Sequence, residues 1–287
     1  MKNFQIAALV VVALVCSGAS WAGPEARAAL LQGYKAARAA GAAEIQGPIF
    51  LRSSEGGDAL EGDAYAVIEH PFAQVESVLK DTRNWCDVLV LHLNVKHCRA
   101  ADAQLILYLG QKVPQSLEES YRVAFTFRAN ALAPDYMGVQ LTAAQGPVGT
   151  RDYRMVFEAA PLEDRKTLVH LTYAYGYGLA GRLAMSSYLA TAGSGKIGFT
   201  VVGERNGRPV YVKGVRGVVE RNTMRYFLAV ETWLDALDAP PDTRLEKRLD
   251  DWFEATERFA PQLHELARND YLDMKRGEYA RQRSSSQ

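Results

Sequence analysis

The side chains that could do chemistry outright are few: five histidines, three cysteines and one Gly-Ser-Gly-Lys run. His70, His92, His97, His170 and His264 nowhere take the HExxH spacing that aims two imidazoles at one zinc ion, and His92 and His97 stand apart from carboxylates. No metal site is expected. Gly193-Ser-Gly-Lys196 has the outline of a phosphate loop, but Ala190 stands five places before Gly195, and Ile197 occupies the place of the magnesium-binding hydroxyl. It reads as a hinge beside a lid. No G-x-S-x-G elbow offers a serine nucleophile. Neither a catalytic residue nor a cofactor is predicted.

The cysteines depend on the chain's opening. Lys2 is followed by an apolar run, Ile6 to Val15, too short for a stable membrane span, and Ser20-Trp21-Ala22 has the small-x-small form a signal peptidase accepts. Residues 1–22 are expected to be a cleaved export signal, with the working protein beginning near Gly23; the alternative is an uncleaved anchor. A lipoprotein is disfavoured by Leu14-Val15 before Cys16. Removal leaves Cys86 and Cys98, twelve residues apart, in a protein bound for an oxidising compartment, most plausibly the periplasm. A disulfide between them would contribute about 3 kcal/mol through loop closure. Two separately buried thiols are the alternative.

Loss of Lys2 turns 33 basic and 33 acidic residues into 32 and 33, near neutrality. Nucleic acid is thereby a poor candidate partner. No later stretch has the eighteen consecutive apolar residues a membrane helix needs.

The elements that must position any site follow from periodicity. Pro24 to Ala43 reads as a helix, with Leu30, Leu31 and Tyr34 at helical spacing. Asp63 to Glu69 reads as a strand, and 71–82 as a helix entered at Pro71 with Asn84-Trp85-Cys86 as its exit. Period-two alternation then recurs at 105–109, 121–128, 139–143, 153–158 and 169–177. Strands so closely spaced, without helices between, predict an antiparallel sheet. Residues 180–192 suggest a short helix or lid, and Asn206-Gly207 between 199–202 and 210–212 marks a hairpin. A long helix from Val215 carries Val219, Asn222, Tyr226, Ala229, Trp233 and Leu237 along one face, Asn222 being its one polar member. Pro240-Pro241 closes it, further helices follow, and a disordered tail is expected from Arg281.

Ala66-Val-Ile-Glu-His-Pro-Phe-Ala-Gln-Val75, Asn84-Trp-Cys-Asp87 and Arg216-Gly-Val-Val-Glu-Arg-Asn-Thr-Met-Arg-Tyr226, in this order of elements, resemble the START-like superfamily of polyketide cyclases and lipid-transfer proteins. The resemblance implies an α+β helix-grip fold over 62–237, a curved antiparallel sheet wrapped around the long C-terminal helix. A helical N-terminal extension (23–61) and a helical C-terminal one (238–287) lie outside it. It further implies an apolar cavity between sheet and helix. With the odd-numbered strand face inward, Phe125, Phe127, Tyr153, Met155, Tyr173 and Tyr175 would line it, faced by Asn222 and Tyr226. The alternative is that those residues fill a solid core. The expected function is an exported binder or carrier of a hydrophobic small molecule, such as a lipid, compatible with transient membrane contact. A cyclase or aromatase on the same scaffold is one alternative, and an envelope interaction module using Trp252, Phe253 and Phe259 is another. Glu220, Arg221 and Arg225 read as ion-pair partners of the strand rim.

Overall fold

The computed structural model describes residues 24–39, 43–45, 49–191 and 193–284, so the expected export signal and its cleavage site lie outside the described residues. Alternation of period two does build a sheet. It comprises β1 (Ala43–Ile45), β2 (Ile49–Gly56), β3 (Ala59–Ile68), β4 (Val95–Ala101), β5 (Gln104–Leu109), β6 (Tyr121–Ala133), β7 (Tyr136–Gln145), β8 (Thr150–Pro161) and β9 (Thr167–Tyr177). These nine strands pair antiparallel in the order β1-β2-β3-β9-β8-β7-β6-β5-β4.

Helix α1 (Pro24–Ala39) precedes the sheet, and α2 (Phe72–Leu79) and α3 (Thr82–Leu89) follow β3. After β9 come α4 (Leu179–Ala190), a separate hairpin of β10 (Val201–Arg205) and β11 (Arg208–Tyr211), and the long α5 (Gly214–Asp235). The inward side chains Val123, Leu141, Phe157 and Leu171 share one core with Val219, Phe227 and Trp233 of α5. This is the helix-grip arrangement. At its tightest point a Cβ on Gly62 of β3 would overlap the Thr223 side chain, so the bare strand is what lets α5 seat. The opposite face of the sheet is partly roofed by α1, where Ala26, Leu30 and Ala37 meet Phe50, Tyr65 and Leu168.

Beyond Pro240-Pro241 the chain forms α6 (Arg244–Glu257), α7 (Ala260–Leu263) and α8 (Arg268–Ser284). Trp252, Phe259, Leu263, Tyr271 and Met274 join the main core. Trp252 is buried, stacks on Tyr271 at 5.0 Å and donates from Nε1 to the Arg225 carbonyl. Trp252 and Phe259 therefore serve packing and are not available to a partner. Among the described residues no helix is long and apolar enough to cross a membrane.

Three expectations are corrected. The helix over 71–82 is two helices: Asp81 accepts from Arg83 N at 2.9 Å, capping a second start, and Trp85 and Cys86 lie inside α3. The extension over 23–61 is helical only to Ala39; β1 and β2 follow, and β3 begins at Ala59. Phe50 turns toward α1 and Leu51 toward α5, both buried, so the strand lacks the polar alternation that would betray it. The tail is helical through Ser284, because α8 lies along β4: Gln282 accepts from Cys98 N at 3.0 Å and Arg281 donates to the Lys96 carbonyl at 3.1 Å. Residues 285–287 lie outside the described ones.

Candidate functional site

Between the buried face of the sheet and α5 lies a partly open space of about 20 Å³. Phe125, Tyr153, Met155, Tyr173 and Tyr226 line it, with Leu89 from α3 and Leu107 and Leu141 from the sheet. Five of the eight predicted ligand residues are thus brought together. Phe127 and Tyr175 lie on the same buried face but outside the lining. Asn222, one turn ahead of Tyr226, is half-buried, and its side-chain oxygen lies 3.4 Å from Arg225 Nη1.

The lining is an aromatic cluster. Tyr153 stacks on Tyr175 at 5.4 Å, Tyr173 lies 5.1 Å from Tyr226, and His92 stacks on the far face of that system, 4.4 Å from the Tyr226 ring. Tyr153 donates to Thr150 Oγ1 at 2.8 Å, but among the described residues the hydroxyls of Tyr173, Tyr175 and Tyr226 make no hydrogen bond. Burial raises the pKa of all four, so they remain neutral donors at physiological pH. Phe125, Tyr153 and Tyr173 each retain 8% exposure, whereas Leu105 and Leu171 retain none. The lining is reachable where the deeper core is not. At 20 Å³ the space holds about one water molecule, so any larger guest must displace rings.

The opposite face carries a polar pocket of about 300 Å³, which the sequence does not announce. His170 of β9 sits in it between two carboxylates, Nε2 2.9 Å from Asp63 and Nδ1 2.7 Å from Glu158, with its ring stacked on Tyr65 at 3.9 Å. Thr172 donates to Asp63 at 2.8 Å and Tyr136 to Glu158 at 2.5 Å. Both imidazole nitrogens are committed, and no metal donor set exists among the described residues. The sequence places these residues on three strands, and only the register, Glu158 opposite His170 and Asp63 opposite Thr172, unites them.

Burial resists charge on His170, but the hydrogen bonds and charges of Asp63 and Glu158 outweigh it and raise its pKa above 6.5. Burial likewise resists charge on the two carboxyls, and His170 overrides it, lowering them below 3.8 and 4.5. The imidazolium's contribution is complete below the unfolded value and is lost as pH rises through the raised folded one. The carboxylates' contributions are present above their unfolded values and are lost as pH falls through the lowered folded ones. The network therefore stabilises most between about pH 4.5 and 6.5. His170→Gln should lower the melting midpoint most in that window and least above it, in thermal melts across pH 4 to 9. A deficit that grew steadily with pH would contradict this reading.

No protein-family model matches the chain, and no curated protein matches it either. Solved structures with a similar arrangement include a START superfamily protein from Mycobacterium smegmatis, 16% identical over 46% of this chain and 91% of that one, with a TM-score of 0.29. Norcoclaurine synthase from Thalictrum flavum is 13% identical over 50% and 80% of the two chains, with a TM-score of 0.30. A conserved protein from Geobacillus kaustophilus is 14% identical over 47% and 85%, with a TM-score of 0.32. At such values these alignments bear on neither ligand nor activity. The class is defined by the chain's own topology: an α+β helix-grip protein with helices added at both ends.

Proposed function

We propose that this chain is an exported START-like protein that binds a hydrophobic small molecule, such as a lipid, between the sheet and α5. The observation that carries the reading is the combination of apolar walls with two lining hydroxyls, of Tyr173 and Tyr226, that bond to no other described residue. A guest offering acceptors would take the place of water at those hydroxyls. The element best placed to yield is α4: among its twelve residues only Gly181 is buried, while Leu179 and Leu183 face solvent. Export rests on the leader-like opening, and the Cys86–Cys98 disulfide suits an oxidising compartment such as the periplasm.

Chain expressed with its leader and purified without detergent should carry a co-extracted hydrophobic molecule, visible by mass spectrometry of an organic extract. If emptied, it should take up a fluorescent lipid analogue saturably. A clean extract together with no uptake would contradict the proposal.

A further inference from the structure

Beside Tyr226 of the cavity wall, two buried arginines of α5 and two partly buried lysines crowd one acid. Arg225 and Arg221 are 1% and 2% exposed. Arg225 Nη2 and Lys112 Nζ lie 2.7 Å and 2.5 Å from the same Glu265 oxygen, and Lys196 Nζ lies 3.4 Å from the other. Among the described residues Arg221 reaches only the Ile197 carbonyl, at 3.1 Å. Glu220, the wholly buried acid of α5, turns to other donors, accepting from Ser53, Phe199 N and Thr200. Three cations thus share one carboxylate, a local excess of two positive charges, and the Arg221 charge bears on two of them, Arg225 and Lys112.

The unmet hydrogen-bonding capacity has the same sign. Arg225 Nε is buried with no partner among the described residues. His92 Nδ1 accepts from Asn94 N at 3.1 Å, so Nε2 carries the proton; Asn222 lies beside it, without hydrogen-bonding geometry. The Tyr175 and Tyr226 hydroxyls are the other open donors, and the Arg221 charge is felt at the first and the Arg225 charge at the second. Burial and the neighbouring guanidiniums hold Lys112 down at about 8 despite Glu265, as a shortage of negative charge requires. Donors without acceptors, at the charged end of an apolar space, describe one kind of guest.

We infer that the ligand is an amphiphile with an anionic head, a carboxylate or phosphate, held by Arg225, Arg221, Lys112 and the adjacent tyrosine hydroxyls while its chain occupies the aromatic cavity. The inference rests on the ligand-binding reading above. Its test is calorimetric titration of the full mature chain at pH 7.5 with dodecanoate, dodecyl phosphate and dodecanol. At least one anion should bind about tenfold tighter than the alcohol, and whichever anion binds tighter identifies the head. In Lys112→Met and Arg221→Met that ratio should fall toward one. If Arg221→Met does not fold, Lys112→Met, whose side chain is 24% exposed, and the wild-type ratio still decide. Equal binding of anions and alcohol would overturn the anionic head while leaving a hydrophobic binder standing. Binding of none of the three would overturn the binder reading itself.

Discussion

Glu278→Ala should destabilise the protein by about 3–5 kcal/mol and free α8 from β4, because it strands two buried ammonium groups at once. Glu278 is 3% exposed; its carboxylate lies 3.0 Å from Lys96 Nζ and 2.7 Å from Lys275 Nζ. Neither lysine has water to fall back on. Lys96 also donates to the Leu93 and Val113 carbonyls at 3.0 Å, and Lys275 to those of His92 and Val95 at 2.7 and 3.0 Å. Carbonyls can hold an ammonium in place but cannot neutralise it. Burial already holds the Lys275 pKa at about 8 with the acid present, so in the variant both lysines should shed protons more readily and part of the loss should return above pH 8. Urea unfolding at pH 7 and pH 9 checks both statements. A loss under about 1 kcal/mol at pH 7 would mean the three charges are not mutually dependent.

Removing the Cys86–Cys98 bridge should lower stability by about 3 kcal/mol. The bond joins α3 to β4 across a separation of twelve residues, with Cα atoms 5.2 Å apart, and both cysteines are buried. In the unfolded chain the closed loop restricts what would otherwise be free. In the folded chain it fixes α3, which supplies Leu89 to the cavity wall, against the strand that α8 covers. The Cys86→Ala/Cys98→Ala double variant, compared with the oxidised wild type by guanidinium unfolding, should show the deficit in its midpoint with little change in slope. An unchanged midpoint would place the bridge outside the fold's stability.

Strands whose outer positions keep polar residues were legible, β9 with His170 and Thr172 among them although both its faces are buried, and β4 was not. The alternation of Tyr121, Val123, Phe125 and Phe127 against polar neighbours survives because the outer face of β6 meets solvent. In β4, Lys96 points away from the grip and yet is wholly buried, under α8, so no polar rhythm remains. The Asn206-Gly207 turn was visible because positive φ at both residues, 52° and 74°, demands such residues. Five lining residues followed from strand parity and helix spacing once the resemblance implied a cavity between sheet and helix. What escaped needs register or tertiary contact. Arg221 and Arg225 read as rim ion pairs, whereas they lie buried against the 193–199 segment and the α7–α8 connection. His170 occupies the even-numbered face of β9, which reads as the outer side; only pairing with β3 and β8 brings Asp63 and Glu158 to it.

The central claim is that a hydrophobic guest enters the space between sheet and α5. Leu141 lines that space, and Leu141→Trp would fill it without touching the polar pocket on the opposite face. Saturation binding of a nitrobenzoxadiazole-labelled fatty acid, read by fluorescence on wild type and on Leu141→Trp with a cooperative melt, is the most direct measurement. Saturable binding by the wild type and its loss in the variant is the predicted result. Equal binding by both proteins would show that the guest lies elsewhere and would contradict the account.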